Sequence, residues 1–231
     1  MSQRVFGYRI EKNIVTELAQ IIRTYVLSME GVSQFSPNRR SASLYLEGSA
    51  ADNVYFLESG LVKTYKLGGD AKEITLEIIM PGELFGLEAF GVDGEREVAA
   101  EILQEGSVRV IPRDVFLKFC NSRPDIWRVL VETLLVNKQR LEKKIGMLSL
   151  MDVEHRILHF VTQLADTIGT RTDGPERSIP ISQGELASLI GATRETTSMV
   201  LNVLARRGLL RLSRRQLTVT SLELLRATAV R

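Results

Sequence analysis

The sequence is poor in the groups that carry redox and metal chemistry. It has one cysteine, Cys120, and two histidines in 231 residues. A lone cysteine forms no intrachain disulfide, and it cannot furnish a four-thiolate zinc or iron–sulfur site. Proline is sparse, and no apolar run approaches the roughly 18 residues a membrane span needs. The opening Met1-Ser-Gln-Arg-Val-Phe-Gly-Tyr8 lacks a segment of signal-peptide length. A reducing cytoplasm, with no membrane partner, is the expected setting. No nucleophile–base pair and no phosphate loop is present, so no enzyme is expected. Net charge is also nearly absent, at +2 overall, but it is unevenly spread. From Ala187 onward eight arginines face only Glu195 and Glu223, a net +6, which leaves −4 for the rest. A basic block on a near-neutral chain points to a polyanion partner for that block.

Patterning divides the chain. A helical period runs from about Ile10 to Ser28, through Ile14, Leu18, Ile21, Ile22 and Val26. Between Phe35 and Pro112 short strands alternate with turn signals. Ser43–Leu46, Asn53–Leu57, Gly60–Lys66, Glu73–Ile79 and Ser107–Ile111 read as strands. Glu58-Ser59-Gly60, Gly68-Gly69-Asp70, Pro81-Gly82 and Glu105-Gly106 read as turns. Such spacing predicts an antiparallel β-roll or jelly roll. From Pro124 to Met151 the helical period returns. Leu130, Leu134, Leu141 and Leu148 alternate as two heptad positions, with Asn137 and Lys144 in the same frame. A narrow seam broken by polar residues suits a parallel contact between two copies, with Asn137 setting register. The pattern also fits a helix packed on its own domain. Asp152 is an N-cap for a helix from Val153 to Ile168, and Gly169–Ser178 reads as an exposed loop.

The C-terminal segment carries the most specific pattern. Ser182-Gln-Gly-Glu185 is a capping box before an apolar run. Gly191 stops that helix, Thr193 caps a second, and Gly208 ends it after Arg206-Arg207. Two short helices at a glycine turn are helix-turn-helix geometry, with the second helix presented to the major groove. Arg194 there can donate twice to guanine, and Glu195 can accept from cytosine. Ser182, Thr193, Thr196, Thr197 and Ser198 offer hydroxyls to phosphates or bases. Leu209–Leu212 and Gln216–Thr220 flank Ser213-Arg214-Arg215, a hairpin whose arginines suit the phosphate backbone.

Ile190-Gly-Ala-Thr-Arg-Glu-Thr196, with Asn53–Lys63 and Pro81-Gly-Glu-Leu-Phe-Gly86, resembles the cyclic-AMP receptor protein/fumarate–nitrate reduction regulator family of bacterial transcription factors. The resemblance covers nearly the whole chain. It implies an α+β chain with a β-roll sensor with N-terminal helix (1–123), a dimerisation helix and hinge (124–151) and a winged helix-turn-helix (152–231). It also implies a homodimer on a palindromic operator of double-stranded DNA, with RNA polymerase touched from Thr167–Ser178. Met199 stands where relatives commonly carry a second groove-facing arginine, which implies a half-site that departs from TGTGA at its inner positions. In nucleotide-binding relatives a Gly-Glu-Leu glutamate holds ribose, and an Arg-Ser/Thr-Ala arginine holds the cyclic phosphate. Here Gly86 is followed by Leu87, Glu88 comes one residue late, and Arg96 is followed by Glu97, whose charge would repel a phosphate. Cyclic AMP is therefore not the expected effector, although a nucleotide-dependent regulator with a variant pocket, or a nucleotide-binding module without DNA activity, stays open. His155 and His159 share a helix face, but packing and capping, rather than a metal, are expected of them.

Overall fold

A computed structural model describes residues 12–37, 39–69, 72–91, 94–171 and 174–229. Ile10, where the first helix is expected to begin, lies outside the described residues, as do Thr172 and Asp173 within the expected polymerase-contact segment. The chain forms two compact units. Among the described residues, one holds 12–67 together with 76–139, and the other holds 68–75 together with 140–229.

In the first unit, α1 (Lys12–Ile21) runs on into a π-helical turn, Ile22–Val26. Leu18, Ile22 and Val26 fall four residues apart and are buried, the stripe a helix lays on a core. The strands are β1 (Ser33–Phe35), β2 (Ser43–Tyr45), β3 (Asn53–Leu67), β4 (Glu73–Ile79), β5 (Leu84–Phe85) and β6 (Ala99–Pro112). They form one jelly-roll-like sheet in the order β1-β6-β3-β4, with β2 on β6 and β5 on β3. Alternation along β3 feeds two cores. Val54 and Phe56 join a cluster with Leu18, Ile22, Phe116 and Ile126. Tyr55 and Leu57 face Tyr45, Phe85, Ile102 and Val108. This is the period-two consequence of strand geometry.

Two expected turns are not turns. Glu58-Ser59-Gly60 lies inside the continuous strand β3, opposite Glu105-Gly106 inside β6, where the register slips between Leu57 and Val62. Gly60 has φ +85°, and a side chain there would stand 2.6 Å from the Gln104 carbonyl. A side chain at Gly106 would stand 2.0 Å from the Ser59 carbonyl. The paired glycines therefore bend both strands together as a bulge. The strand half Ala99–Gln104, unpredicted from sequence, supplies the other arm.

After β6, α2 (Arg113–Ser122) and α3 (Asp125–Leu150) follow. Cys120 is buried in this core, which pushes its thiol up to about 11. Leu130 is 3% exposed and belongs to the same core as Val129 and Ile126. It therefore leaves the expected seam, because it points inward from α3. Leu134 (50%) and Leu141 (37%) are exposed, together with Trp127, Val131, Leu135 and Ile145. Asn137 and Leu148 are half-buried. The free apolar face of α3 is thus turned by a few residues from the frame through Leu130.

In the second unit, α4 (Val153–Thr167) packs against α5 (Gln183–Ile190), α6 (Arg194–Arg206) and α7 (Leu222–Ala229). Asp152 caps α4, accepting from the His155 N–H at 2.9 Å. A four-stranded sheet runs β7-β8-β10-β9, from β7 (Thr170–Arg171), β8 (Arg177–Ile179), β10 (Leu217–Val219) and β9 (Leu210–Leu212). The expected loop Gly169–Ser178 is thereby corrected: its described residues include a hairpin that adds to the wing, because β8 pairs with β10 over Arg177–Ile179. Residues 73–75 complete this unit. The Thr75 N–H donates to Ser188 Oγ at 2.9 Å, and Ser188 donates to Glu73 Oε1 at 2.7 Å. Lys144, in the heptad frame by sequence, is 4% exposed and donates to the Thr75 carbonyl. Among the described residues no helix is long and apolar enough to cross a membrane.

Candidate nucleic-acid interface and sensor pocket

Local chemistry sets α5 and α6. Both halves of the capping box form: the Glu185 N–H donates to Ser182 Oγ at 3.2 Å, and the Ser182 N–H donates to Glu185 Oε2 at 2.6 Å. Such a box satisfies two otherwise orphaned donors. Gly191 takes the left-handed conformation, φ 63°, and a side chain there would stand 3.0 Å from Leu148 Cδ2. The positive φ favours glycine at the turn, and any side chain would also press Leu148 aside. Thr193 then caps α6, accepting from the Thr196 N–H at 3.1 Å.

The cap turns the first turn of α6 outward. Thr193, Arg194, Glu195 and Thr196 are exposed, and Met199 is 70% exposed. Thr197 departs from expectation. It is 0% exposed, and its hydroxyl donates to the Thr193 carbonyl at 2.8 Å. One helical turn beyond Thr193 it faces the core with Leu201 and Leu204, away from the exposed face of α6. Ser198 and Ser182 are half-buried, and the Ser182 hydroxyl is occupied by the cap. Asn202, Val203 and Arg206, which are not among the expected contact residues, lie on the exposed face with Glu195 and Met199. Their spacing of three and four residues was the available signal. In the wing, Ser213 N–H closes the tip onto the Gln216 carbonyl at 3.0 Å, leaving Arg214 and Arg215 exposed. Arg211, by contrast, is paired with Glu176.

Three of the four candidate effector residues, Gly86, Glu88 and Arg96, meet, and Glu97 does not join them. Arg96 is 2% exposed. Its Nη1 donates to the Gly86 carbonyl at 2.9 Å and lies 3.4 Å from Glu88 Oε2, and its Nη2 donates to the Asn53 carbonyl. The guanidinium lies over the Tyr45 and Tyr55 rings at 4.4 and 5.4 Å. Tyr45, Tyr55 and Asn53 were not foreseen, since only folding brings them to Arg96. Burial pushes both tyrosine hydroxyls above their ordinary pKa, and for Tyr45 the charge of Glu88 adds to the effect. Glu97 stands apart. It is exposed and 3.7 Å from Lys66, which also pairs with Glu47. His155 Nδ1 meets Asp152 Oδ1 at 2.9 Å, and His159 packs edge-on against Phe160.

Residues 39–123 match the model of the cyclic nucleotide-binding domain, and residues 155–228 match the Crp-like helix-turn-helix domain. The "CRP-like cAMP-activated global transcriptional regulator" of Mycobacterium tuberculosis is 30% identical over 185 residues, 80% of this chain and 83% of that relative. This chain belongs to the Crp/Fnr family. Within that family it is also 29% identical over 172 residues to the nitrogen fixation regulation protein FixK of Azorhizobium caulinodans, covering 73% of this chain and 68% of the relative. A Crp-family transcriptional regulator of Thermus thermophilus has the same fold. It superposes with a TM-score of 0.74 at 27% identity, over 86% of this chain and 97% of that one. The chain is thus a Crp/Fnr-type DNA-binding transcription regulator, and its family is one of regulators rather than enzymes.

Proposed function

We propose that this Crp/Fnr regulator acts as a homodimer on a palindromic operator and reaches its DNA-binding form without a cyclic nucleotide. The observation that carries the second part is Arg96. Its terminal nitrogens are engaged by the Gly86 and Asn53 carbonyls and Glu88, within an aromatic box. A phosphate would have to displace these bonds and strip the guanidinium from two rings. The exposed apolar face of α3, Trp127, Val131, Leu134, Leu141 and Ile145, supports pairing with a second copy. In this reading residues 1–123 sense, 124–151 pair and 152–231 read. Arg194 and Glu195 contact bases, Thr193 and Thr196 contact backbone or bases, and Arg214 and Arg215 hold phosphates. RNA polymerase is met from Thr167–Ser178.

A second reading, dependence on cyclic AMP, is favoured by one observation: the Mycobacterium relative is named as cAMP-activated. Fluorescence anisotropy at fixed salt separates the two. Labelled palindromes and a scrambled duplex are titrated with full-length protein, with and without cyclic AMP. Specific binding of equal strength in both conditions is expected. Binding that appears only with cyclic AMP refutes the ligand-independent reading.

A further inference from the structure

We propose that Met199 and Val203 form an apolar reading surface that recognises thymine 5-methyl groups in the operator, so that part of this protein's sequence preference is set by methyl contact rather than by hydrogen bonds. The proposal rests on the DNA reading of α6 given above. Met199 is 70% exposed and Val203 38% exposed, four residues apart on α6. They are therefore neighbours on one helix face. Neither is needed by the core, whose contacts from α6 come from Thr197, Leu201 and Leu204. Glu195 and Arg206 are exposed on the same face, Arg194 stands at the helix start, and Arg214 and Arg215 are exposed at the wing. An apolar pair within the chain's +6 segment faces a polyanion rather than an apolar protein surface.

Within the major groove the thymine methyl is the apolar feature of the base edges. The methionine thioether is unbranched and adapts to such a contact. The neighbouring polar group is already spoken for: the Asn202 side-chain amide donates to the Ser198 carbonyl at 2.9 Å. Met199 lies about 6 Å along the helix from Glu195 at ~1.5 Å rise per residue. At ~3.4 Å per base along a strand, that is one or two base steps. The contacted thymine should therefore lie one or two positions from the pair read by Glu195. Val203 continues the surface by one further turn.

The test first takes the operator from random-site selection with the full-length protein. Each thymine of a half-site is then replaced, one at a time, by deoxyuridine, which removes only the methyl group. Binding is followed by anisotropy at fixed salt. A buried methyl is worth about a fourfold change in affinity. Wild type is expected to lose about fourfold at one thymine or two adjacent thymines. The Met199→Ala, Val203→Ala double variant should bind the thymine and uracil duplexes alike, Met199→Leu should keep the difference, and Arg194→Ala should also keep it while losing overall affinity. Equal binding of both duplexes by wild type at every position overturns the proposal, as does a methyl effect that survives the double variant. Selection that enriches no sequence would overturn the reading of α6 itself, a distinct failure that removes this proposal with it.

Discussion

Replacing Arg96 by methionine removes a buried cation and leaves its partners behind. The Asn53 carbonyl loses its guanidinium donor, whereas the Gly86 carbonyl keeps the Ala89 N–H at 3.3 Å, and an orphaned buried acceptor costs about 1–3 kcal/mol. Loss of the stacking on Tyr45 and Tyr55 removes a further ~0.5–2 kcal/mol. Against this, methionine needs no desolvation of a charge, which returns part of the several kcal/mol that a buried ion forfeits. The balance predicts a loss of about 2 kcal/mol. Glu88→Gln should lose under ~1 kcal/mol, since that carboxylate is 28% exposed and 3.4 Å away. The assay is urea unfolding at fixed protein concentration. Emission of Trp127 reports it, because this lone tryptophan packs edge-on to Phe90 at 6.2 Å in the same unit. A loss below ~1 kcal/mol for Arg96→Met would refute the reasoning. So would a stably folded variant that has lost a cyclic-AMP response present in wild type. Either result would mean that Arg96 is held for a ligand and not for the fold.

Four further outcomes follow from the geometry. Leu134→Glu should shift the protein from dimer to monomer in sedimentation. Leu130→Ala should leave the oligomer intact but lose about 2–5 kcal/mol, as a cavity in a well-packed core does. Arg194→Ala should cost about 1–3 kcal/mol and relax preference at one base position, whereas Arg215→Ala should weaken all sequences alike and lower the salt slope by about one; equal effects of the two on sequence preference would sink the assignment of base and phosphate roles. Burial holds the His159 imidazole below its ordinary pKa. The unfolded chain then binds more protons as pH falls through about 6.5, so stability should drop on acidification through that window. His159→Phe should flatten that drop in urea midpoints measured from pH 7.5 to 5, and an unchanged slope would exclude His159 as its source.

What the sequence determined by itself was whatever depends on neighbours within a turn or two of chain. The capping box at Ser182 and Glu185, the glycine turn at 191, the Thr193 and Asp152 caps and the Leu210–Val219 hairpin all stand where their residues indicate. Each is closed by a local bond: Ser182 with Glu185, Thr193 with Thr196, Asp152 with His155, Ser213 with Gln216. The basic charge of the last segment was equally legible, and so was the family.

Tertiary structure alone decided the rest. Gly60 and Gly106 look like turn residues until the two strands face each other. They prove to be a shared bend because each backbone occupies the space of the other's missing side chain. Apolar residues on α3 populate two stripes, and no heptad frame states which the core will claim. The core takes Ile126, Val129 and Leu130, and Leu134 and Leu141 are left outside. Thr197 looks as available as Thr196 until the turn of α6 sends it inward. The fate of Arg96 depends on Asn53, Tyr45 and Tyr55, more than forty residues away in the chain. A pairing over that distance leaves no periodic trace in the sequence, because it is set by how strands stack and not by how neighbours alternate.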